Sequence, residues 1–404
     1  MDTPLAPEVL RRKKFVILCC GVVMYFLTSM SKVLIPAQII GDLKALGLSE
    51  HDIAATGAAY FYAYAASQLL AGIFADRFGG VRILLIGGTM FAAGVLGFPL
   101  HDHLGVMLFC RVLTGFGAGT VFLGVAKLVN DLYPVKFSLV LSAILVLGYF
   151  GPTVGTTPMT LLIKAAGWKL AMLLPGALVA AALALVVSRM SGTVKPVVTG
   201  QTLQPLFAVM RNKAMWFLCL GTSVIFGAYY AVSSYFGKAS LESVCQLAPA
   251  QAATVIMVLT MAVAVNNMGV NGVLKLCGSR RKLTALTGGM LMVAGAVLGW
   301  AAFRMAAPPW YMVGAAYLLL ALPAGFFPLF CTIGKELCPP EFVALAVALV
   351  NFWCFVAIAV FQSVIGGILA AGAGYSGVLL FILIMAAIGV LLQCFYPETR
   401  QKQG

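Results

Sequence analysis

The chain has 404 residues, 62% of them hydrophobic and only 9% charged, with a mean hydropathy of +1.03. A soluble domain carries roughly 25% charged residues, so this composition argues against a cytosolic enzyme, a disordered chain and a nucleic-acid binder. The net charge of +14 lies in short segments between apolar runs, where it reads as a topology signal and not as a nucleic-acid footprint.

The opening MDTPLAPEVLRRKK looks like the basic start of a signal peptide. The apolar run behind it is too long for one, and no small-residue cleavage site follows. The spacing predicts an uncleaved membrane helix over 15–40. Five more runs of the ~20 apolar residues that a bilayer core requires follow near 52–74, 81–100, 104–128, 137–163 and 168–188. After a polar break come six others, near 213–236, 250–274, 283–303, 310–334, 342–370 and 375–396. The expected fold class is therefore all-α integral membrane, with 12 transmembrane helices. A six-helix bundle over 1–188, a cytoplasmic linker over 189–213 and a second six-helix bundle over 214–404 make up the expected domains.

Basic residues orient these spans. Of the 26 Lys and Arg, 18 fall on segments that are inner if the N-terminus is inside, five fall on outer segments, and Lys32, Arg111 and Lys127 fall within spans. That bias predicts cytoplasmic N- and C-termini. The ten Cys are scattered without a C-x-x-C pair. Six lie inside apolar runs as small hydrophobes, so neither a metal site nor a disulfide framework nor a cofactor is expected.

The halves repeat weakly. A shift of 205 lays NDLYPVKF (130–137) on KELCPPEF (335–342), pairing Asp131 with Glu336 and Pro134 with Pro339. Shifting by 199 pairs Gly79 with Gly278 and Arg82 with Arg281. A duplicated unit in one orientation is the parallel-repeat arrangement of transporters.

Between the second and third spans the chain reads GIFADRFGGVR, Gly72 to Arg82. Gly72 permits close helix approach, Gly79 and Gly80 permit a tight turn, and Asp76, Arg77 and Arg82 suit an anionic inner surface beside helix ends. This loop resembles the signature G-x-x-x-D-R-x-G-x-x-R of the major facilitator superfamily. In the second half Asn271 stands for the first Gly and Lys275 for Asp76. Arg111-V-L-T-Gly115-F-Gly117-A-Gly119 resembles the family's fourth-helix motif. Gly148-Y-F-Gly151-Pro152-T-V-Gly155 resembles a G-P-x-x-G motif frequent in drug and proton antiporters, a spacing that also serves close packing and a kink. The segments YFYAYAASQLLAGIFADRFGGVR, FLGVAKLVNDLYPVKF and GTTPMTLLIKAAGWK resemble a bacterial branch near the organic-anion and sugar-phosphate transporters. Relatives there often carry Arg where this chain has Thr28, whereas here the cation is Lys32, one turn outward. The resemblance implies two six-helix bundles related by a pseudo-twofold axis, a monomer, and residence in the bacterial cytoplasmic (inner) membrane.

Intramembrane charges then point to a substrate. Lys32 lies ten residues before Asp42, and Arg111 eight residues after His103. At 1.5 Å per residue they sit about 15 Å and about 12 Å inward. Such charges are costly unless they face water or a partner. All 12 carboxylates fall in tails, loops or the last turn of a span, so an anionic substrate is the economical counter-charge, and a relay through a buried acid is not indicated. Lys127, about 24 Å inward of Arg111, either hands substrate on or forms a gate pair with Asp131. Tyr60, Tyr64 and Gln68 form an i, i+4, i+8 stripe. Tyr229 and Tyr230 follow Gly227, a candidate helix break, while Asn266 and Asn351 lie in later spans. Each can serve as interhelical glue or as cavity lining.

Candidate substrate residues are therefore Lys32, Arg111, Tyr60, Tyr64, Gln68, Tyr229, Tyr230, Asn266 and Asn351, with Asp76, Arg77, Arg82, Lys127 and Asp131 as gating residues. With no nucleophile triad or ATP motif in view, the chain reads as a non-enzymatic secondary transporter of a small carboxylate- or sulfonate-like anion. A proton-coupled drug or metabolite exporter and a non-transporting membrane ligand sensor are the alternatives. A coupling ion, H+ or Na+, is left open.

Overall fold

Apolar runs of this length must satisfy their backbone within themselves, and in lipid a helix does so. The computed structural model describes residues 7–133, 137–193, 210–338 and 343–399. Most of the expected linker and the repeat-matched stretches 134–136 and 339–342 lie outside the described residues. Among those described there is no strand. The helices are α1 (Pro7–Leu34), α2 (Ile40–Ala45), α3 (Glu50–Phe78), α4 (Gly80–Gly97), α5 (Leu104–Leu132), α6 (Phe137–Val154), α7 (Thr157–Ala166) and α8 (Trp168–Arg189). After the linker come α9 (Lys213–Ala231), α10 (Gly237–Ser243), α11 (Pro249–Leu276), α12 (Arg281–Ala302), α13 (Trp310–Ala321), α14 (Phe327–Glu336), α15 (Val343–Ala370) and α16 (Gly374–Gln393).

Ten stretches among the described residues are long and apolar enough to cross a bilayer. The two other expected spans fall on α3 and on the α6–α7 pair, which breaks between Val154 and Thr157. Large apolar side chains face outward, with Phe109 at 61%, Met268 at 62% and Val265 at 66% exposure, a face that suits lipid and would be a liability in water.

The chain forms two compact units, one of residues 1–32 and 59–201, the other of residues 33–58 and 202–404. In the first, α4 and α5 cross closely because glycine stands at the contacts. A Cβ on Gly87 would meet Thr120, and one on Gly124 would lie 2.8 Å from the backbone nitrogen of Leu84. Gly151 of α6 presses likewise on α1 beside Phe26 and Met30. Without a hydrophobic drive between helices in lipid, such approach supplies the packing energy.

In the second unit, α9 passes through a π-helical turn, Val232–Phe236, into α10. The helix break expected near Gly227 is thus five residues further on. Gly227 itself is a packing site, where a Cβ would meet the ring of Phe361. A 3₁₀ turn, Leu322–Phe326, joins α13 to α14. α12 packs on α13 through Gly295, whose Cβ would lie 2.7 Å from the Ala316 carbonyl oxygen, and on α16 through Gly289 and Gly299.

Candidate substrate site and helix-end ion pairs

Five of the expected substrate residues come together in the first unit, on α1, α3 and α5. The i, i+4, i+8 stripe of α3 meets a stripe of the same spacing on α5, Arg111, Gly115 and Gly119. A Cβ on Gly115 would strike the carbonyl of Tyr60, and one on Gly119 would strike Ser67. Glycine at both positions lets α5 lie against α3, and this approach brings Arg111 to Tyr60. The Arg111 Cζ lies 4.6 Å from the Tyr60 ring centroid. The Lys32 Nζ lies 4.8 Å from the Tyr64 centroid. The two rings are neighbours, 6.1 Å apart between centroids.

Tyr60 is fixed from the other side, because its hydroxyl donates to the Thr28 carbonyl of α1 at 3.3 Å. Gln68 Nε2 closes the end of the stripe away from Arg111 by donating to the Gly119 carbonyl at 3.5 Å. The group is deeply placed, with Arg111 at 1% and Lys32 at 8% exposure. A cation over an aromatic face is stabilised by about 2 kcal/mol or more when desolvated. The arrangement is therefore a positively charged, aromatic-walled cluster, chemically suited to an anion. Thr28, where relatives often carry Arg, contributes its backbone instead of a charge. Gly115 and Gly119 were legible only as part of a motif, although their register with the tyrosine stripe marks them as the residues that set the cluster's geometry.

The remaining substrate candidates lie in the second unit. Tyr229 and Tyr230 are buried on α9, their rings 4.7 Å apart and edge-on. Asn266 of α11 donates from Nδ2 to the Leu322 carbonyl at 2.7 Å, so its amide supports the 3₁₀ turn. Asn351 is half-buried on α15. A further polar pair sits nearby in sequence. Gln362 of α15 donates to the Ser234 hydroxyl at 2.8 Å, and Ser234 donates to the Tyr230 carbonyl at 2.5 Å. The π-helical turn places Ser234 for this, a use of irregular helix that is common at functional sites.

Of the gating candidates, the side chains of Asp76 and Arg77 lie outside those described. Arg82 is half-buried in the first turn of α4, and Lys127 and Asp131 are half-buried near the end of α5. The second unit carries an ion pair between Arg281, the first residue of α12, and Glu336, the last of α14. These are the residues that the two repeat shifts lay on Arg82 and Asp131. Lys282 adds to this end by donating to the Cys394 carbonyl at 2.6 Å, and its backbone N–H donates to Glu398 at 3.1 Å. His103 has a structural part: its Nδ1 accepts from the Gly105 N–H at 3.2 Å and caps α5. Among the described residues no group of three His, Cys, Asp or Glu side chains is placed to hold a metal.

Comparison with known proteins decides the family. The model of the Major Facilitator Superfamily matches residues 17–360. The chain belongs to this superfamily. It is a multi-pass membrane protein of that superfamily. "Probable anion transporter 4, chloroplastic" of Oryza sativa subsp. japonica is 27% identical over 151 residues, 36% of this chain and 25% of that protein. The chloroplastic ascorbate transporter of Arabidopsis thaliana is 26% identical over 165 residues, 39% of this chain and 29% of its own. Quinolone resistance protein NorA of Staphylococcus aureus is 31% identical over 118 residues, 28% of this chain and 30% of its own. The chain thus matches less than a third of the length of these relatives. Among solved structures, a POT family transporter in complex with 5-aminolevulinic acid superposes with a TM-score of 0.77 at 12% identity, over 95% of each chain. A nucleoside transporter, NupG, gives 0.71 at 16% identity, over 95% of this chain and 98% of its own. At these identities the likeness concerns the fold.

Proposed function

We propose that this protein is a secondary transporter of a small organic anion, carboxylate- or sulfonate-like, working by alternating access. Its halves are the six-helix bundles 1–188 and 214–404, twelve spans in all, joined by the cytoplasmic linker 189–213. It acts as a monomer in a bacterial inner membrane with both termini inside. The observation that carries the substrate class is the cluster in which Lys32 and Arg111 lie 4.8 Å and 4.6 Å from the rings of neighbouring tyrosines. Arg keeps its charge at any accessible pH and presents a planar fork suited to a carboxylate or sulfonate. The anion and ascorbate transporters among the relatives support the same class.

One observation favours a proton-coupled exporter of drugs or metabolites, namely the match to NorA. The G-P-x-x-G motif adds less. Gly151 brings α6 against the α1 backbone, so packing alone accounts for it.

A thermal-shift screen of the purified protein tests the reading, using mono- and dicarboxylates, sulfonates, sugar phosphates and lipophilic cations. A ligand stabilises by RT ln(1+[L]/Kd). Carboxylates or sulfonates should raise the melting temperature, whereas a response to lipophilic cations alone would establish the exporter. Arg111→Lys and Lys32→Gln should each weaken anion binding by about 1.5–3 kcal/mol, the range of a charge-assisted hydrogen bond. If both variants bind the anion as wild type does, the cluster is structural.

A further inference from the structure

The segment 33–58 belongs, by its packing, to the second unit. It comprises the last two residues of α1, all of α2 and the first nine residues of α3. Four contacts among the described residues help to hold it there. Lys238 of α10, only 6% exposed, donates from Nζ to the Gln38 carbonyl at 3.4 Å and pairs with Glu242, one turn on, at 3.3 Å. The Tyr235 hydroxyl donates to the Glu50 carbonyl at 3.1 Å. Ala54 and Gly57 of α3 lie against Gly366 and Gln362 of α15, where no added Cβ would fit.

Of these contacts, that of Lys238 is the one whose loss is most costly. A buried ammonium must be surrounded by acceptors. Glu242 lies on the same helix and stays whatever the segment does. The Gln38 carbonyl belongs to the segment and leaves with it, so release strips the ammonium of an acceptor. Both ends of the segment continue directly into the cation–tyrosine cluster, since residue 33 follows Lys32 and Ala58 precedes Tyr60 by two positions.

We propose that Lys238 is the pin of a latch that fastens residues 33–58 to α10, a positioning residue that determines how readily the distal end of α1 and the start of α3 come free. The latch does not depend on the identity of the substrate.

Hydrogen exchange on the full chain in lipid nanodiscs, without added substrate, tests it. Peptides covering 34–48 report the latch, and peptides within α12 and α13 report the rest of the unit. Lys238→Met should speed exchange in 34–48 by about tenfold or more, the equilibrium effect of one charge-assisted hydrogen bond. Lys238→Arg, which restores the donor, should stay close to wild type. Should Lys238→Met fail to fold, Lys238→Gln, which keeps a polar side chain but loses the charge and the reach, should still speed exchange in 34–48 selectively. The latch is refuted by unchanged exchange in 34–48 in Lys238→Met and Lys238→Gln. A rise shared equally by α12 and α13 refutes it too, as does a failure of Lys238→Arg to rescue. Because no anion is present, none of these outcomes bears on the proposed substrate.

Discussion

Gly115 offers a direct test of how the candidate site is built. A Cβ there would strike the Tyr60 carbonyl and lie 2.9 Å from the Tyr60 Cα. These are backbone atoms, which cannot rotate aside as a side chain can. Carbon atoms reach their attractive minimum at about 3.5–4.0 Å, so Gly115→Ala must push α5 away from α3. Overpacking of this kind costs about 1–3 kcal/mol, which for a unit of this size corresponds to a fall in melting temperature of roughly 2–4 °C per kcal/mol. Gly269 of α11 is the matched control, since nothing lies within 4 Å of its added Cβ. Gly269→Ala removes only backbone freedom and should gain about 0.5–1 kcal/mol. Both variants would be melted in one detergent at one scan rate, because membrane-protein unfolding is rarely reversible. The same chemical change should lower the midpoint at 115 and raise or preserve it at 269. If Gly115→Ala melts at or above wild type, α5 does not depend on that glycine to reach α3, and the account of how Arg111 meets Tyr60 fails.

Glu336→Gln should destabilise by about 3 kcal/mol, since removing one partner leaves the buried Arg281 charge uncompensated; exchanging the two residues in a double variant should recover much of the loss in a melting assay. Gly57→Ala should cost about 1–3 kcal/mol by displacing the Gln362 amide from Ser234. Added to a Gln362→Ala background it should cost less, a coupling that a double-mutant cycle reads. Burial holds the Asp42 carboxyl above its ordinary value of 3.8, partly offset by its own backbone hydrogen bond and by Lys238. The folded state therefore favours the protonated acid. Its contribution is fully present below 3.8 and is lost as pH rises through the raised value. Asp42→Asn should stabilise at neutral pH, and that gain should vanish as pH falls towards 3.8.

Several features of the fold and of the cluster are visible in the chain because they depend on local periodicity. Tyr60, Tyr64 and Gln68 recur at helical spacing, so one face of α3 was identifiable before any neighbour was known. Counting residues from Asp42 and His103 placed Lys32 and Arg111 at like depth, and each lies over one of two adjacent rings. Other features are not local. The turn at Val232–Phe236 has no residue signature, whereas Gly227 looks like a break yet serves to admit Phe361. Asn266 reads as a polar lining residue. Its donor goes to Leu322 because the 3₁₀ turn beside Pro323 leaves carbonyls outside the α-helical ladder.

Glycine and charge carry different information in this chain. A charge inside a membrane helix announces itself, because composition there allows few of them. Glycine is common, with 43 in the chain, so its presence alone identifies nothing. Register separates the glycines that matter from the rest. Gly115 and Gly119 lie four and eight residues after Arg111, the same steps that separate Tyr60, Tyr64 and Gln68. Two helices with matched i, i+4, i+8 stripes, one small and one aromatic, can nest along their length. The cation at the head of the small stripe then has little choice but to meet the ring at the head of the other. Arg111 over Tyr60 is therefore a consequence of helix packing. Any account of how that arginine is placed must include the glycines that admit α5 to α3.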